Sequence, residues 1–412
     1  MTPDSRRWRA LAILAAAQLL GMSPWFAGTA LAPTLAEAWG LSPAQVGWLS
    51  SSVQLGFVAG TLAAALLNLA DLLPSRWYLA AAAVLAAASN AILQVGDGFT
   101  VALVSRFLTG FCLAGVYPPA MKMAATWFQS GRGLAIGIVV GALTIGKAVP
   151  YLVEALGGVG RAFVVWSTSG AALAAAGLVA VGYRDGPHAF PRRPFSWGLV
   201  ATVARVREAR LVTAGYLGHM WELYAFWVWI PAFLAASLAI SSPELGAAGT
   251  RHPAPDTLLP FAIIAIGALG CLWGGWAADR WGRARVVTWA MAVSGSCCVL
   301  AGFLFGASPW LLVPLLLVWS VAVIADSAQF SAMVTETVPS HAVGTALTLQ
   351  VSLGFLLTMA SIQLVPVMVG LVGWRWGFAA LALGPMLGIG AIRRLRGSAG
   401  QSPAVSPPAA AR

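Results

Sequence analysis

A chain of 412 residues with 59% apolar and only 9% charged side chains lacks the polar surface of a soluble domain, where about 25% of residues are charged. Its formal charge of +11 does not mark a nucleic-acid binder, because nearly all the arginines fall in the turns between apolar runs. Cys112, Cys271, Cys297 and Cys298 lie inside those runs, which suits packing and suggests neither a disulfide framework nor a metal site.

Apolar runs of about 20 residues, each able to cross a hydrocarbon core of roughly 30 Å, recur along the whole chain. In the first half they predict helices over 8–33, 44–70, 76–95, 98–126, 132–156 and 159–183. In the second half they predict helices over 208–238, 257–278, 284–306, 308–335, 341–370 and 372–394. Alternating β-barrel segments are absent, so helices must satisfy the backbone. The first run, preceded by Arg6, Arg7 and Arg9, resembles a leader peptide ending near Ala30-Leu31-Ala32. The eleven runs behind it favour an uncleaved first helix. Its "GMSPWFAG" stretch, with Gly21, Pro24 and Gly28, has the features of a bent or broken helix.

With the N-terminus inside, the cytoplasmic turns and ends hold most of the arginines, while the outer turns hold only Arg161, Arg251 and Arg375. That asymmetry follows the positive-inside rule and places both termini in the cytoplasm. The longest polar interruption, residues 183–210, carries Pro187, Pro191 and Pro194 with six arginines. It divides the chain into an N-terminal six-helix half (1–183), a cytoplasmic linker (184–207), a C-terminal six-helix half (208–395) and a cytoplasmic tail (396–412). The fold class expected is an all-α membrane protein of twelve transmembrane helices.

The loop after the eighth span reads "GWAADRWGRAR", with Gly275, Asp279, Arg280, Gly282 and Arg283. The loop after the second, "LNLADLLPSRW", keeps Asp71 and Arg76 but loses the glycines. The first of these resembles the signature of the major facilitator superfamily, and Arg106-Phe-Leu-Thr-Gly110 looks like that superfamily's fourth-helix motif. The resemblance implies two rocking halves, and a gating role for Asp71, Arg76, Gly275, Asp279, Arg280, Gly282 and Arg283. "ATWFQSGRGLAIGIVVGALTIG" is similar to bacterial members grouped with nitrate/nitrite porters. That group is associated with an arginine in each of spans two and eight and an asparagine in span five. This chain has none of these, so a small organic anion fits its residues at least as well as nitrate.

Ionisable residues inside a span cost about 2.5–3.5 kcal/mol each at the helix centre, which makes them functional candidates. Arg106 and Tyr117 fall on one face of an ideal fourth helix, while Lys122 lies about 160° away, near the cytoplasmic end. Lys122 therefore suits a snorkelling anchor. In the fifth span Gly133, Gly137 and Gly141 form a packing stripe that could meet Gly270 and Gly274 of the eighth. Lys147 lies deeper, with Tyr151 and Glu154 on its face; it either points to a cavity or pairs with Glu154. His219 and Glu222 are three residues apart in span seven and could share a proton or simply pack. The nearby Trp221, Trp227 and Trp229 read as lipid-facing or interfacial. Asp326 has no base near it in its own helix and needs a partner from elsewhere, or a proton.

No His-Glu-x-x-His, Walker or Gly-x-Ser-x-Gly motif occurs, so neither an enzyme nor an ATP-driven pump is expected, and no cofactor or metal. The expected function is a monomeric secondary transporter of a bacterial-type inner membrane, moving a small anionic solute by proton symport and alternating access. Arg106, Tyr117, Lys147 and Gln350 would bind the substrate, with His219, Glu222 and Asp326 carrying the proton. The alternatives are a proton-driven exporter of amphipathic drugs or metabolites, walled by span seven, and a non-transporting membrane receptor on the same scaffold.

Overall fold

The computed structural model describes residues 3–128, 131–157, 160–188, 197–241, 255–339 and 341–399. Arg192, Arg193, Arg251 and Arg412 lie outside the described residues, as do the side chains of Asp71 and Arg132. The described chain is helical throughout. The first six spans are α1 (Ser5–Trp39), α2 (Pro43–Leu66), α3 (Ser75–Val95), α4 (Phe99–Ala125), α5 (Gly133–Leu156) and α6 (Arg161–Gly182). Then come α7 (Arg207–Ser241), α8 (Leu258–Trp281), α9 (Arg283–Phe303), α10 (Pro309–Thr337) and α11 (Val343–Gly377). The last, α12 (Leu383–Ala399), has 17 residues and follows a 3-10 turn at Ala379–Ala382.

The last two spans meet at a kink and not at a polar loop. Among the described residues eleven helices are long and apolar enough to cross a membrane, and α12 falls short of that length. The expected boundary near residue 371 is matched within a few residues: the backbone of Val343–Gly377 leaves helical geometry at Gly373, whose φ of 73° only glycine adopts readily, so two helices meet there. Gly373 and Arg375 mark that boundary in the sequence.

Three helices are broken where the chemistry requires it. In α1 a 3-10 turn at Ser23–Phe26 begins beside Pro24, which has no N–H to continue the ladder. In α4 the helix stops at Leu113 and restarts at Tyr117, ahead of Pro118 and Pro119. In α10 the break falls at Asp326, between Ala325 and Ser327. The α4 break invalidates the ideal-helix projection that stacked Tyr117 beneath Arg106.

Glycines set the helix contacts in both halves alike. A Cβ at Gly56 would stand 1.9 Å from the Phe107 carbonyl oxygen, and one at Gly110 2.0 Å from that of Val53, so α2 and α4 touch backbone to backbone. In the other half Gly270 and Gly274 meet the Val321 and Ala325 carbonyls of α10 at 2.1 and 2.0 Å. Those two glycines therefore do not face the α5 stripe as expected. The stripe does lie on α8, but on another side of it: Gly137 and Gly141 approach Cys271 and Ala268. α5–α8 and α2–α11 form the main packing between the halves. The Gln363 side chain reaches from α11 to Ser51 Oγ at 3.4 Å.

Gly110→Val should prevent folding or lower the melting temperature by more than about 10 °C, because backbone atoms cannot yield to the new methyls. Gly170→Ala, which meets nothing within 4 Å, should leave it unchanged; thermal melts of the purified protein in detergent compare the two.

Candidate functional site

Gly146 decides where Lys147 sits. A Cβ at Gly146 would lie 2.3 Å from the Leu19 carbonyl oxygen, so α5 rests directly on α1 just below the α1 break. The next side chain then enters the ring cluster that the break presents. Lys147 is 2% exposed. Its Nζ lies 3.8 Å from the centre of the Trp25 ring and 4.6 Å from that of Tyr224. The rings of Trp227 and Phe355 stand at 5.8 and 6.0 Å. Nζ also donates a hydrogen bond to Tyr224 Oη. Trp25 and Lys147 belong to the first half of the chain, and Tyr224, Trp227 and Phe355 to the second, so the ammonium bridges the halves.

The expected alternative of a Lys147–Glu154 pair does not form: among the described residues no carboxylate lies at ion-pair distance from Lys147. Helical side chains lean toward the N-terminus, which carries Lys147 away from Glu154 two turns further on. Stacking on a desolvated ring contributes about 2 kcal/mol, against a burial cost of several kcal/mol per ion. Rings therefore compensate the charge only in part.

Arg106 has the opposite character. It is fully buried, and its Nη atoms donate to the Pro24 carbonyl oxygen at 2.8 Å, Asn90 Oδ1 at 2.5 Å and Thr109 Oγ1 at 3.1 Å. Asn90 in turn donates to the Val165 carbonyl, Thr168 and Ser169 of α6. Gly28 makes the room, since a Cβ there would lie 2.7 Å from Arg106 Cδ. One guanidinium thus ties the α1 break to α3, α4 and α6, in contact with the protein's own oxygens and not with an open cavity.

The second half holds a carboxylate in the corresponding way. Glu222 of α7 accepts from Ser294 Oγ at 2.9 Å, from Cys298 Sγ at 3.3 Å and from Trp319 Nε1, which binds α7 to α9 and α10. His219 and Glu222 consequently point to different neighbours and do not share a proton with each other. The partner of His219 is Asp326: Nδ1 lies 2.8 Å from Oδ1, at ion-pair distance but off the line of a hydrogen bond. The imidazole stands between the Tyr216 and Phe330 rings, at 5.9 and 5.8 Å. Asp326, at the α10 break, thereby gains from α7 the base that its own helix lacks.

Tyr117 begins the second part of α4, half-buried, 6.5 Å from the Phe57 ring. Gln350 is buried with both amide atoms unpartnered, and so is Gln54 of α2. Trp227 and Trp229 are buried and not lipid-facing; Trp229 Nε1 donates to the Ile362 carbonyl at 2.8 Å. Trp221 is partly buried and donates to the Ala380 carbonyl at 3.2 Å.

At the end of the bundle where α5 begins, both carboxylate oxygens of Asp279 lie 3.7 Å from the position of a Cβ on Gly133. A negative charge at a helix N-terminus contributes about 0.3–1 kcal/mol, and here it joins the two halves. A Cβ at Gly275 would stand 3.5 Å from the Gly133 carbonyl oxygen, an ordinary contact, and Gly282 turns the chain with a φ of 84°. Arg283 works within its own half, donating to Glu336 Oε1 and Gln329 Oε1, both at 2.9 Å. Arg280 lies over Trp276 at 4.3 Å, and Arg76 over Trp77 at 5.0 Å.

Residues 11–212 match the sequence profile of the Major Facilitator Superfamily. The nucleoside transporter NupG, as a point variant, superposes with a TM-score of 0.70 at 16% identity, covering 94% of this chain and 99% of its own. A bacterial homologue of the human lysosomal transporter Spinster, inward-facing and unoccupied, superposes at 0.71 and 13% identity, covering 95% and 97%. The chain has the major facilitator fold. A comparison with curated proteins gives no match. The family profile and the shared fold point to a transporter and not to an enzyme. Neither the profile nor these structures singles out the nitrate/nitrite group.

Within that fold Arg106 and Lys147 should separate by their effect on stability. Arg106→Lys strands acceptors around Pro24 and Asn90, and should cost about 2–3 kcal/mol. Lys147→Met removes a cation that no carboxylate compensates, and should leave the melting temperature equal or higher. Melting curves of the two purified variants test the contrast.

Proposed function

We propose that this protein is a secondary transporter of a small organic anion, with Lys147 as the charge partner of the substrate. The observation that carries the reading is a buried ammonium at the contact between the halves, met by rings and a phenol but by no described carboxylate. A cation so placed attracts an anion whenever the halves part, and an anion bound there touches both of them. Tyr117 and Gln350 supply polar contacts around it. Arg106, with both Nη atoms engaged and only Nε without a partner, holds the α1 break that presents Trp25 and is better assigned to the frame than to the substrate.

His219 and Asp326 form the candidate proton site, bridging α7 to the α10 break. Protonating Asp326 would remove the attraction to His219 and release α10 from α7. That is a local event able to bias the tilt of one half against the other. Glu222, held by three donors, serves α7–α9–α10 packing in this scheme. Asp279 on the α5 N-terminus closes the cytoplasmic side, while Gln363 on Ser51 closes the outer side. Alternating access requires these contacts to break in turn. The protein acts as a monomer in a bacterial-type inner membrane, with both termini in the cytoplasm. Export of amphipathic compounds is the second reading, favoured by the aromatic walls around the site.

In proteoliposomes, Lys147→Ala should lower anion flux at least about 100-fold while the protein stays folded, since an interaction of several kcal/mol is lost. Full flux in that variant would remove Lys147 from the binding role. Asp326→Asn should abolish stimulation of uptake by an imposed pH gradient but preserve anion exchange at equal pH. Unchanged stimulation would assign the proton elsewhere.

A further inference from the structure

Two properties of the Lys147 site narrow the anion further. The first is its charge. Lys147 is the one cation placed among these rings, and Arg106 is committed to Pro24, Asn90 and Thr109. A ligand with one negative charge is matched, whereas a second charge on it would be buried without a partner, at a cost of several kcal/mol.

The second property is the shape of the walls. Rings from the two halves pack tilted against one another: Phe57 and Phe355 at 4.7 Å and 44°, Trp25 and Phe355 at 5.7 Å and 50°, Trp25 and Tyr224 at 5.9 Å and 38°. If the halves part, they uncover aromatic surface on both sides, which a flat aromatic ring can contact through its own face and edge better than a puckered aliphatic one. Each ring–ring contact contributes about 0.5–1.5 kcal/mol beyond area burial. Unused polar atoms complete the site. The Trp227 indole N–H is buried without a partner and adjoins Lys147, so a carboxylate could take one donor on each oxygen. The Gln54 amide, likewise buried and unpartnered, shares a helix face with Phe57 three residues on, within reach of a polar ring substituent.

From this geometry we infer that the substrate is a planar aromatic monocarboxylate, its carboxylate displacing Tyr224 from Lys147 and its ring entering between Trp25 and Phe355. The inference rests on the organic-anion reading above, and its test separates the two. Calorimetric titration of the full-length protein in nanodiscs would compare benzoate, cyclohexanecarboxylate, acetate, terephthalate and monomethyl terephthalate, which matches terephthalate in length with one charge fewer. Benzoate is expected to bind about tenfold or more tightly than cyclohexanecarboxylate or acetate, and monomethyl terephthalate about tenfold or more tightly than terephthalate. Trp25→Leu should reduce the benzoate preference to about twofold, and Lys147→Met should remove binding of every carboxylate. Equal binding of benzoate and cyclohexanecarboxylate, or tighter binding of terephthalate than of its monoester, would overturn the aromatic monocarboxylate while leaving the anion reading intact. Binding of none of the carboxylates by folded, monodisperse protein would overturn both.

Discussion

Hydrocarbon offers no partner to a charge, so each ionised side chain in the spans must be answered by the protein's own groups or by a ligand. Arg106 is answered by carbonyl, amide and hydroxyl oxygens, Glu222 by three donors, and Asp326 by His219. Lys147 is answered by π faces and a phenol. The first three arrangements tie helices together within a half, while the fourth spans the contact between halves. The proposed division between frame and substrate site rests on that difference.

The two frames mirror each other with the sign of the charge reversed. In the first half a guanidinium from α4 reaches the broken α1 and, through Asn90, α3 and α6. In the second a carboxylate from α7 reaches α9 and α10. Glycine contacts between α2 and α4 recur between α8 and α10. Arg106 and Glu222 are each held by groups of their own half. Contacts that cross between halves are the close packing of α5 on α8, the Lys147–Tyr224 bond, ring against ring, an amide on a serine and a carboxylate near a helix N-terminus.

Much of this was legible in the residues, and the failures have physical causes. Hydropathy located the helices well, and the glycine spacing around Gly133 correctly brought α5 to α8. The face of α8 was misread because glycines at 270 and 274 look the same whichever neighbour they serve. Periodicity placed Tyr117 under Arg106 by assuming an unbroken helix, which Pro118 and Pro119 forbid. Lys147, Arg106 and Asp326 stood out from the cost of charge in a span, but a sequence does not record which groups answer a charge. His219 was therefore matched with its helical neighbour Glu222 instead of Asp326, 107 positions away. The rings of the cage were missed almost entirely. Trp25, Phe57 and Phe355 sit in runs apolar on every side, where periodicity cannot distinguish a face toward lipid from one toward the other half. Only Trp25, just after the helix-breaking Pro24, carried a local signal.

The central claim is that an aromatic anion takes the place of Tyr224 on Lys147, and a bound structure tests it most directly. Crystals grown with 4-bromobenzoate would locate the bromine by its anomalous scattering. The account predicts a peak between the Trp25 and Phe355 rings, with the carboxylate on Lys147 Nζ and the Lys147–Tyr224 bond broken. Bromine bound elsewhere, with Lys147 still on Tyr224, would contradict it.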